Sequence, residues 1–217
     1  MKPVSGLGCP VTHEIATLGR MTSKLILKNV LAEANDTLNA FRQDTDQMLA
    51  FERFVDVATS TLQSGGRLLS CGNGGSLCDA MHFAQEWTGR LVRDRPALSA
   101  MAFSDSAQLS AIANDFGFDQ VFARQVEAHG RPGDLLVAIS TSGKSPNVIK
   151  AVEAAKRLGI QTVGLLGCGG GEVLNRVDVA MVVPHAERAD RIQEMHIKIL
   201  HAAIQAVETR LFPDLEL

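Results

Sequence analysis

Four polar side chains carry the most pointed chemistry in this sequence. His82 and Glu86 lie four residues apart in a helical pattern that runs from about Leu77 to Arg90. Four residues turn an α-helix by about 400°, so the imidazole and the carboxylate share one face. Gln193 and His201 lie eight apart in a second pattern, from about Ala189 to Leu211. Eight residues turn a helix by about 800°, which leaves these two roughly 80° apart and two turns along. If the two helices meet, two imidazoles, a carboxylate and an amide oxygen could surround one divalent ion. That donor set suits zinc, although an amide oxygen is an uncommon zinc ligand. A single helical histidine is more often capped or solvated, so the spacing leaves both readings open.

Two loops have the make-up of anion sites. Cys71-Gly72-Asn73-Gly74-Gly75-Ser76 joins a short apolar run to a helix. Its glycines let the backbone approach a ligand closely, and the helix start points free N–H groups at an anion. It is not a dinucleotide fingerprint, because position 77 is Leu77 where a third glycine is needed. A tight strand-to-helix turn without a ligand is the plain alternative. Ser140-Thr141-Ser142-Gly143-Lys144-Ser145-Pro146 follows another apolar run. Ser145 suits an N-cap and Pro146 the first helical turn. Hydroxyls and backbone amides at a helix start can hold a phosphate without a cation. Ordinary Ser/Thr capping is the alternative here, and the Walker A spacing is not met.

The elements that must position these residues alternate. Ser23 to about Arg42 and about Gln47 to Leu62 have helical apolar spacing and form a helical hairpin. Short apolar runs then occupy Arg67–Cys71, Ala100–Ser104, Leu135–Ser140, Thr162–Leu166 and Val179–Val183. Helical patterns lie between them near Leu77–Arg90, Ser106–Asn114, Gln120–His129 and Pro146–Leu158, and a long helix closes the chain. This order predicts an α/β fold, a doubly wound parallel sheet between two helical layers. Ligands of such sheets bind beyond the carboxyl ends of the strands, where both loops fall. Residues 1–22 read as an N-terminal extension, with Met21 a second candidate start, and residues 23–217 as one domain. Gly169-Gly170-Gly171 reads as a turn.

Composition narrows the classes. The chain has 217 residues, 46% hydrophobic and 21% charged, with a net charge of −3. That length builds a core without staples. No basic stripe offers itself to nucleic acid, and no apolar run approaches a membrane span. The start lacks the apolar segment of a secretory signal. Cys9, Cys71, Cys78 and Cys168 show no paired spacing and read as free thiols in a reducing cytoplasm.

These motifs together carry a resemblance. Ser140-Thr-Ser-Gly-Lys-Ser145 resembles the phosphosugar loop of sugar isomerase (SIS) domains. Cys71-Gly-Asn-Gly-Gly-Ser76, Asp79-Ala-Met-His-Phe83, Glu86-Trp-Thr-Gly-Arg90, Asn114-Asp-Phe-Gly-Phe118 and Ala189-Asp-Arg-Ile-Gln-Glu-Met-His-Ile-Lys198 resemble the phosphoheptose isomerase family, in order, over about residues 23 to 213. The resemblance implies a three-layer, flavodoxin-like SIS fold in a cytoplasmic homotetramer with sites at subunit interfaces. It implies conversion of sedoheptulose 7-phosphate to D-glycero-D-manno-heptose 7-phosphate, the step that opens heptose supply for lipopolysaccharide. It implies one Zn2+ per subunit on His82, Glu86, Gln193 and His201, with Glu86 as base and His201 as acid. Substrate contacts are implied for Asn73, Gly74, Gly75, Ser76, Glu86, Arg90, Asn114, Asp115, Ser140, Thr141, Ser142, Ser145, Asp190 and Gln193. By their position, Asn114 and Asp115 follow a helix, and Arg90 could equally be a surface ion pair. A second group of SIS proteins acts as regulators, one type assisting the bacterial replication initiator. Arg191-Ile-Gln-Glu-Met-His196 and Arg210-Leu-Phe-Pro-Asp214 look as much like that group. A carboxylate at position 86 and a histidine at 201 favour the enzyme.

Overall fold

A computed structural model describes residues 22–184 and 188–214. The N-terminal extension, with Cys9 and Met21, lies almost wholly outside the described residues. Helices α1 (Ser23–Gln43) and α2 (Thr45–Gln63) form the expected hairpin. Asp44 joins them in a single residue. It ends α1, and its carboxylate accepts the Asp46 and Gln47 N–H groups to start α2, at 3.0 and 3.1 Å.

The alternating part follows: β1 (Leu68–Gly72), α3 (Gly75–Thr88), β2 (Ala100–Ala102), α4 (Ser106–Phe116), α5 (Ala123–His129), β3 (Leu135–Ser140), α6 (Pro146–Arg157), β4 (Gln161–Leu166), β5 (Val179–Val182) and α7 (Ala189–Leu211). All strand pairings are parallel, in the order β2-β1-β3-β4-β5. This is the flavodoxin-like doubly wound arrangement. All six residues of β3 are buried, as a strand covered on both faces requires. Its side chains alternate. Leu135, Val137 and Ile139 join Phe54, Phe83, Trp87, Leu200 and Ile204 beneath the layer of α1, α2, α3 and α7. Leu136 and Ala138 join Phe103, Phe122, Val126 and Val152 beneath α4, α5 and α6.

Three of the differences from the sequence reading bear on the site. Helix α3 starts at Gly75, two residues early, so Gly75 and Ser76 belong to its first turn and not to the loop. Strand β2 pairs over three residues only, and the chain turns away at Ser104 to let Asp105 cap α4. Asn114 and Asp115 lie inside the last turn of α4, because the helix runs on to Phe116 and stops at Gly117 with φ of +88°.

Candidate active site

Strands β1 and β3 are neighbours, and the chain leaves them in opposite directions, to β2 on one side and β4 on the other. In such sheets ligands bind beyond the carboxyl ends at this point. Both glycine- and serine-bearing loops follow β1 and β3 there. A reciprocal amide pair clamps them together: Asn73 Nδ2 donates to Asn147 Oδ1 at 2.9 Å, and Asn147 Nδ2 to Asn73 Oδ1 at 2.8 Å. Asn147 is buried in the first turn of α6. The sequence reading missed it, since nothing local marks a partner 74 residues away.

In the second loop the hydroxyls organise the backbone. Gly143 N–H donates to Ser140 Oγ at 3.1 Å, and Lys144 N–H to Ser142 Oγ at 3.2 Å. Ser145 occupies the N-cap position of α6, yet its side chain makes no cap hydrogen bond. It lies 3.2 Å from Ser140 Oγ instead. The plain capping alternative therefore does not account for it, and the hydroxyl faces its loop. The three glycines after β4 are more than a turn. Gly143 has φ of +61°, and a Cβ there would lie 1.9 Å from the Gly170 carbonyl oxygen. Val173 N–H also donates to the Gly143 carbonyl at 3.0 Å. The segment after β4 thus buttresses the serine loop.

The acid–base residues come from α3 and α7, which pack side by side on one sheet face. His82 Nε2 lies 3.0 Å from Glu86 Oε1, and His201 Nε2 lies 3.5 Å from the same oxygen. The two imidazoles meet edge to face with centroids 5.1 Å apart. One ligand atom from each of His82, Glu86 and His201 falls within 4.8 Å of the others. Glu86 is only 4% exposed, and its Oε2 is buried without a hydrogen-bond partner, as is His201 Nε2. Buried polar atoms without partners are costly. Two nitrogens and a carboxylate oxygen that converge on one point fit a divalent cation of the zinc type. Asp79, one turn before His82, also keeps a buried partnerless oxygen. Burial pushes its carboxyl up to about 6, against the attraction of His82.

The remaining expected residues separate. Gln193, half-buried at the start of α7, rests its amide on Gly75, where a Cβ would lie 2.6 Å from Gln193 Oε1. Gly75 is seven residues, about 10 Å of helix rise, before His82. Asp190 is held by Arg188 at 2.7 Å and Arg191 at 2.9 Å. Hydrogen bonds from Arg188, then Arg191, hold its carboxyl well below the usual range. Arg90 is exposed, 4.0 Å from Asp94, as the surface-pair alternative has it. Asn114 donates to Asp115 at 2.8 Å on an exposed stretch of α4, in the opposite helical layer from α3 and α7. Among the described residues, Arg90, Asn114 and Asp115 make no hydrogen bond or ion pair with the two loops or the trio. A depression lined by Arg67, Arg131 and Asp134 lies at the other, amino, end of β1 and β3, where Arg67 is already bound to Asp134. The helix segments that look like the regulators serve the scaffold: Arg191 reaches the Val30 carbonyl of α1, and Arg210 pairs with Glu52 and Asp56 of α2.

A SIS-domain profile matches residues 30–167. With the doubly wound sheet and the paired loops, this makes the chain a SIS-domain protein. Its relatives narrow the class. The phosphoheptose isomerase of Yersinia enterocolitica is 48% identical over 186 residues, 86% of this chain and 96% of that protein. The solved phosphoheptose isomerases of Neisseria gonorrhoeae and Francisella tularensis superpose with TM-scores of 0.81 and 0.82, at 38% and 32% identity, each covering 87% of this chain and 100% of theirs. The chain belongs to the phosphoheptose isomerase family.

Proposed function

We propose that this protein interconverts sedoheptulose 7-phosphate and D-glycero-D-manno-heptose 7-phosphate through an enediol, supplying heptose for lipopolysaccharide. The observation that carries the reading is Glu86: a carboxylate 4% exposed, flanked by two imidazoles, with Oε2 left without a partner, on the helix whose start adjoins the first loop. A regulator that only binds a sugar phosphate has no use for such a group, and the family likeness points the same way.

The hydroxyls of Ser140, Thr141, Ser142 and Ser145, with the amides at the starts of α3 and α6, hold the phosphate. Asn73, Gly74, Gly75 and Ser76 contact the same end of the substrate, together with Gln193, which rests on Gly75, and Asp190 at the start of α7. The open chain then extends along α3 toward Glu86. Oε2 of Glu86 takes a proton from C1 of the ketose, and the C1–H electrons form the C1=C2 bond. His201 gives a proton to the C2 oxygen as that carbonyl opens, which produces the enediol. His201 then takes the proton from the C1 oxygen, the C1 carbonyl forms, and Glu86 returns its proton to C2. Protons and electrons balance, and no redox partner is needed. His82, Glu86 and His201 would hold one Zn2+ per subunit, and a bound cation there would stabilise negative charge on the sugar oxygens; Gln193, the expected fourth ligand, rests on Gly75 instead and does not reach them.

The protein works as a cytoplasmic homotetramer with its sites at subunit interfaces. Support comes from α1, whose Leu27, Leu31 and Leu38 recur at four and seven residues and are exposed. Arg90, exposed four residues beyond Glu86, and Asn114 and Asp115, in the opposite helical layer, then contact substrate across an interface. The purified, zinc-loaded protein is expected to convert sedoheptulose 7-phosphate to an aldose. A protein that binds this sugar phosphate yet stays inert with and without zinc would overturn the reading.

A further inference from the structure

Helix α3 carries Glu86 near its end and has no basic residue in its last turn. The carbonyls there lack intrahelical donors and carry partial negative charge. Arg95, beyond the end of α3, supplies what is missing. Its side chain is 0% exposed. Nη2 donates to the Glu86 carbonyl at 2.8 Å. Nη1 donates to the carbonyls of Trp87 at 2.6 Å, Gly89 at 3.1 Å and Pro96 at 3.2 Å. Nε donates to Glu208 Oε1 at 2.8 Å, and the Glu208 side chain is 1% exposed.

Glu208 sits on α7, two turns beyond His201. Seven residues bring it back to nearly the same face, about 10 Å along the axis. One buried guanidinium therefore grips the backbone of Glu86 and, through Glu208, the helix that presents His201. The distance from His82 to Glu86 is set within α3. The 3.5 Å from His201 to Glu86 is set by how α3 packs on α7.

We propose that the Arg95–Glu208 bridge is a positioning device for the centre of His82, Glu86 and His201. It fixes the roll and spacing of α3 against α7, and so the gap in which a divalent cation is held. The inference rests on the metal-site reading above. The carbonyl contacts of Arg95 cap α3 and stabilise it, but the ion pair to Glu208 is not needed for that. Apolar residues of similar volume often replace a buried ion pair at no cost, and Glu208 Oε2 is itself buried without a partner.

The test is zinc affinity of the full chain, measured by competition with a chromophoric chelator. In the double variant Arg95→Met/Glu208→Leu both charges go. It is expected to melt below the wild type, because the carbonyls of Glu86, Trp87, Gly89 and Pro96 lose their donor, while zinc affinity of the folded protein falls about 10- to 100-fold, with kcat falling more than KM changes. Arg95→Lys keeps a cation beside Glu208 but cannot span the carbonyls. It is expected to lose about tenfold in affinity, and it serves if the double variant does not fold. Val152→Ala loosens the opposite core layer and is expected to keep wild-type affinity, which separates positioning from general destabilisation. Folded variants that bind zinc as tightly as the wild type overturn the positioning role and leave the metal site standing. A wild type that holds no zinc against the chelator overturns the metal-site reading and this inference with it.

Discussion

His196 is 0% exposed on α7, with Nε2 donating to the Leu166 carbonyl at 3.1 Å and Nδ1 without a partner. Burial pulls its pKa down to about 4, and the Leu166 hydrogen bond opposes that only in part. The unfolded chain therefore takes up this proton first. Stability from the neutral ring is full above about pH 6.5 and is lost as pH falls toward 4, by roughly 3 kcal/mol in all. His196→Leu is expected to flatten that part of the acid limb in urea titrations across pH. Parallel limbs in the two proteins would contradict it. Burial acts the other way on acids: it raises the Cys71 thiol to about 12, so this cysteine is an inert core residue. Glu86 differs from both, since its burial comes with two imidazoles and one idle oxygen. That combination is what the proposed role as a base would use.

Helices and loops turn these side chains into a site. The serine loop keeps its shape because Gly143 adopts a positive φ and lies against the Gly170 carbonyl. Gly143→Ala puts a Cβ into that carbonyl. It is expected to destabilise the fold by about 1–3 kcal/mol and to raise KM for the sugar phosphate while zinc affinity stays unchanged. Equilibrium unfolding with steady-state kinetics checks this, and an unaltered KM would contradict the loop's role. Much of this scale was legible in the sequence. Strand β3 and helix α7 have their expected bounds, because apolar runs and helical periods report burial directly. The pair His82 and Glu86 was legible too, since four residues in a helix leave little freedom. The contacts between distant elements were not. Asn147 holds Asn73, Arg95 caps α3, and the segment after β4 braces Gly143, each through partners set by packing rather than by local pattern. The end of α4 was misjudged for a local reason: Asn114 and Asp115 are poor helix interior residues, and Gly117 sets the stop instead.

At the scale of the molecule, one set of expected side chains converges within the chain and another does not. His82, Glu86 and His201 meet within one chain, whereas the proposed substrate contacts of Arg90, Asn114 and Asp115 require a neighbouring subunit. Leu27 and Leu31 are 58% and 59% exposed on α1. Burial of such side chains between subunits yields about 1.5–3 kcal/mol each. Leu27→Asp/Leu31→Asp is expected to yield a smaller species by light scattering and to lose turnover, with zinc affinity retained. A double variant that remains a tetramer would contradict the role of α1. In the proposed mechanism turnover depends on one carboxylate. Glu86→Gln keeps an oxygen beside His82 and His201 but cannot take a proton from carbon. The most direct measurement is the kcat of this variant on sedoheptulose 7-phosphate beside the wild type, both saturated with zinc and substrate. A fall of about 10²- to 10⁴-fold is expected for loss of a general base, and a kcat within tenfold of the wild type would contradict the assignment of Glu86.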